Sequence, residues 1–260
     1  MTRIGAVSYL NTKPLIHQMR DALGDQDSLS LNLPSRLASQ LAAGDLDVAL
    51  IPSVEYFRGQ KYRIVSDAVI ACTGPVWSVR LVSRVPIQKI RRLALDEGSR
   101  TSAALVRVLL WEIYGLKPET VMLPIEQSPD AADADGVLII GDRAMHPEHG
   151  VYEEIWDLGQ RWTQHTGLPF VFAMWVASEL AEVDHLVPIF ESCRDSGLAA
   201  VESIAETHAA ANGLTNHDLL RYFTENLHFR LGSRERQGLE RFRRSCGALG
   251  LIPQPATNRA

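Results

Sequence analysis

Ala68-Val69-Ile70-Ala71-Cys72-Thr73-Gly74-Pro75-Val76-Trp77-Ser78-Val79-Arg80-Leu81-Val82-Ser83 is a run of strand-forming residues with no helical period. Gly74-Pro75 interrupts it once, and Val85-Pro86 closes it. Glycine and proline together mark turns, and small or β-branched apolar residues between turns mark extended chain. A second extended run, Pro169-Phe170-Val171-Phe172-Ala173-Met174-Trp175-Val176-Ala177, precedes a purely helical C-terminus.

Around these two runs, short apolar stretches alternate with helical patterns, the mark of an α/β class. Strands are expected over 4–7, 29–33, 48–51, 92–95, 121–123 and 137–140. Helices are expected over 13–23 (Leu15, Ile16, Met19), 35–43 (Leu37, Leu41) and 101–114 (Val106, Leu109, Leu110, Ile113). Gly44 and Gly115 stand where C-terminal caps belong. The order β-α-β-α-β occurs over 1–50 and again over 92–140, a repeat of architecture and not of sequence. Two α/β units joined by two extended crossings, with the chain returning to the first, follow the plan of the periplasmic-binding-protein-like type II fold. Lobe one is expected over 1–82 plus 177–260 and lobe two over 83–176, with a ligand cleft between them.

With 46% hydrophobic and 22% charged residues, the 260-residue chain can bury a sizeable core without disulfide or metal staples. The net charge is -5, and the densest basic run, Arg234 to Arg244, is interleaved with Glu235, Leu239, Glu240 and Phe242. That run reads as a solvated helix face, so no nucleic-acid partner is expected. Cys72, Cys193 and Cys246 are odd in number and widely spaced, which fits neither a disulfide framework nor a zinc site. Met1-Thr2-Arg3 runs straight into Ile4-Gly5-Ala6-Val7, with no apolar leader before a cleavage site. The longest apolar stretch, near 168–177, is too short to cross a bilayer. A cytoplasmic chain with no membrane partner is therefore expected. The tail from Pro253 onward is polar and proline-rich, and is expected to be poorly ordered.

Ligands in open α/β sheets gather outside the carboxyl ends of the strands, where helix N-termini offer free N–H groups. After the first strand comes Ser8-Tyr9-Leu10-Asn11-Thr12-Lys13-Pro14, where Asn11 either caps a helix or turns its amide into the cleft. Ile51-Pro52-Ser53 repeats the arrangement, and Glu55 in the following turn reads as a dipole partner facing water. Gly74 and Pro75 read as a hinge, and the buried hydroxyl of Ser78 needs a partner in the backbone or in a ligand. Leu95-Asp96-Glu97-Gly98-Ser99-Arg100-Thr101-Ser102 is the most informative stretch. Hydroxyls, free N–H groups and a guanidinium converge there, either as a carboxylate or phosphate cradle or as a capped helix with a surface arginine. Gly141-Asp142 places a carboxylate at a strand end, and Thr166-Gly167 would line the cleft floor. The pair His146 and His149 sits in a polar Pro-Glu loop and reads as exposed. No dinucleotide, P-loop or metallohydrolase motif occurs, so nothing demands a cofactor or a metal.

In order along the chain, Val7-Ser8-Tyr9-Leu10-Asn11-Thr12-Lys13-Pro14-Leu15, Gly44-Asp45-Leu46-Asp47, Ile51-Pro52-Ser53, Gly74-Pro75-Val76-Trp77-Ser78-Val79, Ser99-Arg100-Thr101-Ser102, Leu138-Ile139-Ile140-Gly141-Asp142, Asp157-Leu158-Gly159 and Thr166-Gly167-Leu168-Pro169-Phe170-Val171-Phe172-Ala173 resemble one family. It is the chorismate dehydratases of the futalosine route to menaquinone. The resemblance implies a lyase that converts chorismate to 3-[(1-carboxyvinyl)oxy]benzoate and water. It implies catalytic roles for Asn11 and Ser78, with Asp142 as an alternative base. It implies substrate binding by Ser53, Gly74, Ser99, Arg100, Thr101, Ser102, Gly141, Thr166 and Gly167. No strong base stands among these residues, so the substrate's own enolpyruvyl carboxylate, positioned by Asn11, is expected to take the proton. A solute-binding or sensor module of the same fold is one alternative. The dihydroxynaphthoate synthase of the same pathway is another, but it opens with a Ser-Pro-Cys-Pro-Asn-Asp type sequence that this chain lacks.

Overall fold

The structure is a computed structural model and describes residues 2–24, 27–59, 61–146 and 150–253. Its strands are β1 (Thr2–Val7), β2 (Asp27–Asn32), β3 (Val48–Pro52), β4 (Tyr62–Cys72), β5 (Val79–Ser83), β6 (Arg92–Asp96), β7 (Glu119–Leu123), β8 (Gly136–Ile140), β9 (Glu154–Asp157), β10 (Phe170–Ser178) and β11 (His228–Arg230). The helices are α1 (Met19–Ala22), α2 (Pro34–Ala43), α3 (Ser53–Arg58), α4 (Arg100–Tyr114), α5 (Leu158–Thr166), α6 (Val187–Ala199), α7 (Val201–His208), α8 (Asn216–Arg221) and α9 (Ser233–Ala248).

Two mixed sheets result. The first runs β11-β4-β10-β3-β1-β2 and the second β7-β6-β8-β5-β9. In each, three parallel strands are followed by an antiparallel one: β10 beside β3, and β5 beside β8. Strands covered on both faces need apolar residues at every position, and β3 and β8 are buried throughout. Gly44 and Gly115 close α2 and α4 in the left-handed conformation, with φ of 77° and 69°, as the sequence led us to expect.

Two expectations need correction. The helix expected over 13–23 is a 3-10 helix, Leu10–Ile16, then the short α1. Pro14 lies inside the first segment, and Gln18 breaks the run at φ 56°. The extended runs expected as crossings are sheet strands. β5 pairs wholly within the second sheet and β10 wholly within the first. The chain therefore changes sheet between Cys72 and Val79, and again between Asp157 and Phe170, ahead of the expected boundaries at 82/83 and 176/177. An apolar run bounded by turns looks the same in sequence whether it bridges two sheets or fills the middle of one. Among the described residues, no helix is long and apolar enough to cross a membrane.

Candidate functional site

Both sheets turn their parallel-strand carboxyl ends toward one cavity. The loop after β1 brings Tyr9 and Asn11, the approach to β5 brings Ser78, and the start of α4 brings Ser99, Thr101 and Ser102. Val7, Ile70, Ile140 and Phe172 supply apolar wall. Among the described residues, neither a carboxylate nor a Lys or Arg side chain lines it. A site of this kind recognises by neutral donors and peptide dipoles in a weakly hydrated space.

Ser78 is held from three directions. Its N–H donates to the Val76 carbonyl at 2.8 Å, and its carbonyl accepts from Gly141 N–H at 2.9 Å. Its Oγ accepts from the Tyr222 hydroxyl at 2.7 Å. The Asn11 side chain also bears on the Tyr222 oxygen, and its Oδ1 accepts from the Thr12 hydroxyl at 3.2 Å. Burial pushes the Tyr222 phenol far up, so it stays protonated at neutral pH. The sequence reading missed Tyr222. The available signal was a tyrosine on the apolar stripe Leu219-Tyr222-Phe223, since a buried phenol needs a hydrogen-bond partner.

The α4 terminus is only partly the expected cradle. Ser99 caps the helix, accepting from Ser102 N–H at 3.1 Å. Thr101 Oγ1 accepts from Val54 N–H at 3.2 Å and ties the two lobes together. Ser53 sits behind the wall, donating to the Val171 carbonyl at 2.7 Å. Arg100 departs from expectation. Its guanidinium turns away from the cavity, donating to Glu55 at 2.8 Å and to Ser39 Oγ at 2.7 Å. An arginine that finds a carboxylate partner near the surface avoids the unpaired desolvation that an apolar cavity would impose. Glu55, expected to face water, instead accepts from both Arg58 and Arg100.

Asp142 also lies off the cavity wall. Its Oδ1 accepts from Leu10 N–H at 3.1 Å, bracing the β1 loop against the second sheet. Burial pushes its carboxyl up, and the Leu10 N–H, Lys13 and His146 oppose the shift. Gly141, at φ 69°, lets the Tyr9 ring lie against it; a Cβ there would meet that ring at 3.0 Å. The buried Tyr9 hydroxyl has no hydrogen-bond partner among the described residues, and burial pushes it up too. Beneath it, Asp96 is fully buried and ion-paired to Arg143, and accepts from Gly98 N–H at 2.9 Å. Gly74, Thr166 and Gly167 are not among the described residues lining the cavity. Gly74 N–H donates to Thr163 Oγ1 at 2.9 Å, Gly167 caps α5, and Thr166 Oγ1 donates to the Trp162 carbonyl at 2.8 Å.

Pro147, Glu148 and His149 lie outside the described residues, as does the tail after Pro253. Among the described residues, no His, Cys, Asp and Glu group could hold a metal. The three cysteines are buried free thiols, Cys246 pushed up to about 12 by burial.

A family model described as menaquinone biosynthesis matches residues 2–248. The chain belongs to the menaquinone biosynthesis family. Its relatives there include a chorismate dehydratase of Thermus thermophilus, 30% identical over 263 residues and 94% of each chain. A chorismate dehydratase of Campylobacter jejuni is 26% identical, covering 95% of this chain and 98% of that one. Among solved structures, a protein of Archaeoglobus fulgidus is similar with a TM-score of 0.74 at 16% identity, covering 96% and 98% of the two chains. The periplasmic aliphatic sulphonate binding protein of Escherichia coli is similar with a TM-score of 0.62 at 16% identity, covering 97% and 94%. The likeness to these structures shows the fold of this chain: two α/β lobes of periplasmic-binding-protein type.

Proposed function

We propose that the chain is a chorismate dehydratase, forming 3-[(1-carboxyvinyl)oxy]benzoate and water in the cytoplasm, on the futalosine route. The observation that carries this reading is the cavity wall. It presents Asn11, Ser78 and the α4 terminus, and no ionised side chain among the described residues. Chorismate brings two carboxylates of its own, so a wall of neutral donors suits it. The α4 N–H groups and the hydroxyls of Ser99, Thr101 and Ser102 meet one carboxylate without Arg100. Asn11 orients the enolpyruvyl carboxylate over the ether-bearing carbon.

The reaction then needs no protein base. The enolpyruvyl carboxylate removes the proton from the ether-bearing carbon, and the electron pair enters the diene conjugated to the ring carboxylate. The neighbouring C–O bond breaks as the pair completes the aromatic ring. The departing hydroxide, hydrogen-bonded by Ser78, takes up the proton and leaves as water. Aromatisation drives the reaction, so the protein's share is orientation and stabilisation of spreading charge. The direct test is incubation of purified protein with chorismate, followed by mass and absorbance. A product lighter by one water, with an aromatic spectrum, is expected. Chorismate recovered unchanged at stoichiometric enzyme would refute the reading.

A further inference from the structure

The segment after α8, Tyr222–Asn226, is one turn of π-helix. Such turns are rare and recur at functional sites, because the wider turn redirects a side chain that a regular helix would aim elsewhere. Tyr222, its first residue, is fully buried and reaches Ser78 across 144 residues of sequence. The ring meets Trp77 edge-on at 5.7 Å. Trp77 is itself in the left-handed region at φ 65°, a costly conformation for a bulky residue. The Ser78 N–H to Val76 carbonyl bond spans it, so Trp77 is the centre of a γ-turn of the strained hand. Asp157 holds that turn, accepting from Val76 N–H at 3.0 Å and Trp77 N–H at 2.6 Å.

Two rare backbone features, a π-turn and a strained γ-turn, thus meet at a single hydroxyl–hydroxyl contact on the cavity wall. Packing alone does not ask for this, since phenylalanine fills the same space beside Trp77. Serine has one proton and two lone pairs to place. Tyr222 occupies one lone pair, and no acceptor in the described residues takes the Ser78 proton. We propose that Tyr222 is a positioning residue for the dehydration, holding Ser78 by its oxygen so that its O–H is delivered to the cavity. The proposal rests on the functional reading above. Tyr222 does not relay a proton: its phenol is too deeply buried to ionise. It fixes the Ser78 rotamer and polarises its O–H, as successive hydrogen bonds do in a weakly hydrated interior. The beneficiary is the hydroxide leaving the ring.

The test is a double-mutant cycle on kcat and KM for chorismate. Tyr222→Phe is expected to lower kcat about tenfold, the equivalent of one hydrogen bond, with KM within about threefold of wild type. In the Ser78→Ala background the same change is expected to do nothing further, because the hydroxyl it positions is gone. Equal losses in both backgrounds, or a silent Tyr222→Phe in active enzyme, would overturn the proposal. A ligand-free readout accompanies the cycle. In protein labelled with [ζ-¹³C]tyrosine, the Tyr222 hydroxyl proton should exchange slowly with solvent, and faster in Ser78→Ala. Fast exchange in wild type overturns the geometry even where Phe impairs folding. Should wild-type protein leave chorismate untouched, the functional reading falls and this proposal with it. Should wild type turn over while the cycle is additive, this proposal alone falls.

Discussion

Replacing Asp142 by asparagine separates a strut from a base. The carboxylate accepts from Leu10 N–H at 3.1 Å and is absent from the cavity wall. Asn keeps an oxygen in that position but cannot take a proton from carbon. A hydrogen bond to a charged group exceeds a neutral one by about 1 kcal/mol, so the brace weakens by about that much. The opposing effect comes from burial. The folded-state pKa of Asp142 is raised, so its ionised form subtracts from stability as pH rises past the unfolded carboxylate value, fully so above the folded one. Asparagine removes that subtraction, and at neutral pH the two effects leave stability within about 1 kcal/mol of wild type. For the chemistry, a strut predicts single-turnover rates within about threefold of wild type, whereas a lost general base costs about 10²–10⁴-fold. Rapid mixing of excess enzyme with chorismate, followed at the aromatic product band, reads the difference, and urea melts check the fold. A hundredfold slower step with chorismate still bound would sink the substrate-assisted scheme and return Asp142 to catalysis.

Three further perturbations follow from the geometry. Asn11→Ala should cut kcat at least about tenfold in steady-state assays while chorismate still binds, since a displacement of about 1 Å costs roughly a hundredfold. Arg100→Ala should leave KM within about threefold and lower stability by about 1 kcal/mol, since the partly buried Glu55 keeps Arg58 as a partner; a tenfold rise in KM would show the guanidinium reaching the substrate. Arg143→Met strands the buried Asp96 carboxylate and should cost about 3–5 kcal/mol in chemical melts. Because burial already raises the Asp96 pKa, that loss should shrink as acid protonates the carboxyl; a loss independent of pH would contradict the pairing.

How far the sequence could be read depends on the range of the interactions. Strand-to-helix junctions are governed by residues a few positions apart, so a capped helix opening after Gly98 and Gly115 as its end were legible, as was the placement of Ser99, Thr101 and Ser102 beside the cavity. Arg100 was not, because its direction is decided by Glu55 and Ser39, 45 and 61 residues away. The sheet membership of β5 and β10 is likewise a matter of partners, invisible in an apolar run. Tyr222 lies in a helical region with no cleft signal of its own, and the π-turn that aims it leaves no local pattern.

The insertion of β10 between β3 and β4 has a consequence for synthesis. Cys72 ends β4 and Phe170 begins β10, so roughly 100 residues must emerge before the first sheet can close; at about 5–20 residues per second that takes about 5–20 s. Through that interval β3 and β4 carry facing unpaired edges, the geometry that recruits foreign strands. The second sheet, contiguous from β5 to β9, meanwhile has all its strands. The nascent chain therefore finishes its inserted half first, and its N-terminal half is the one that needs sheltering on the ribosome.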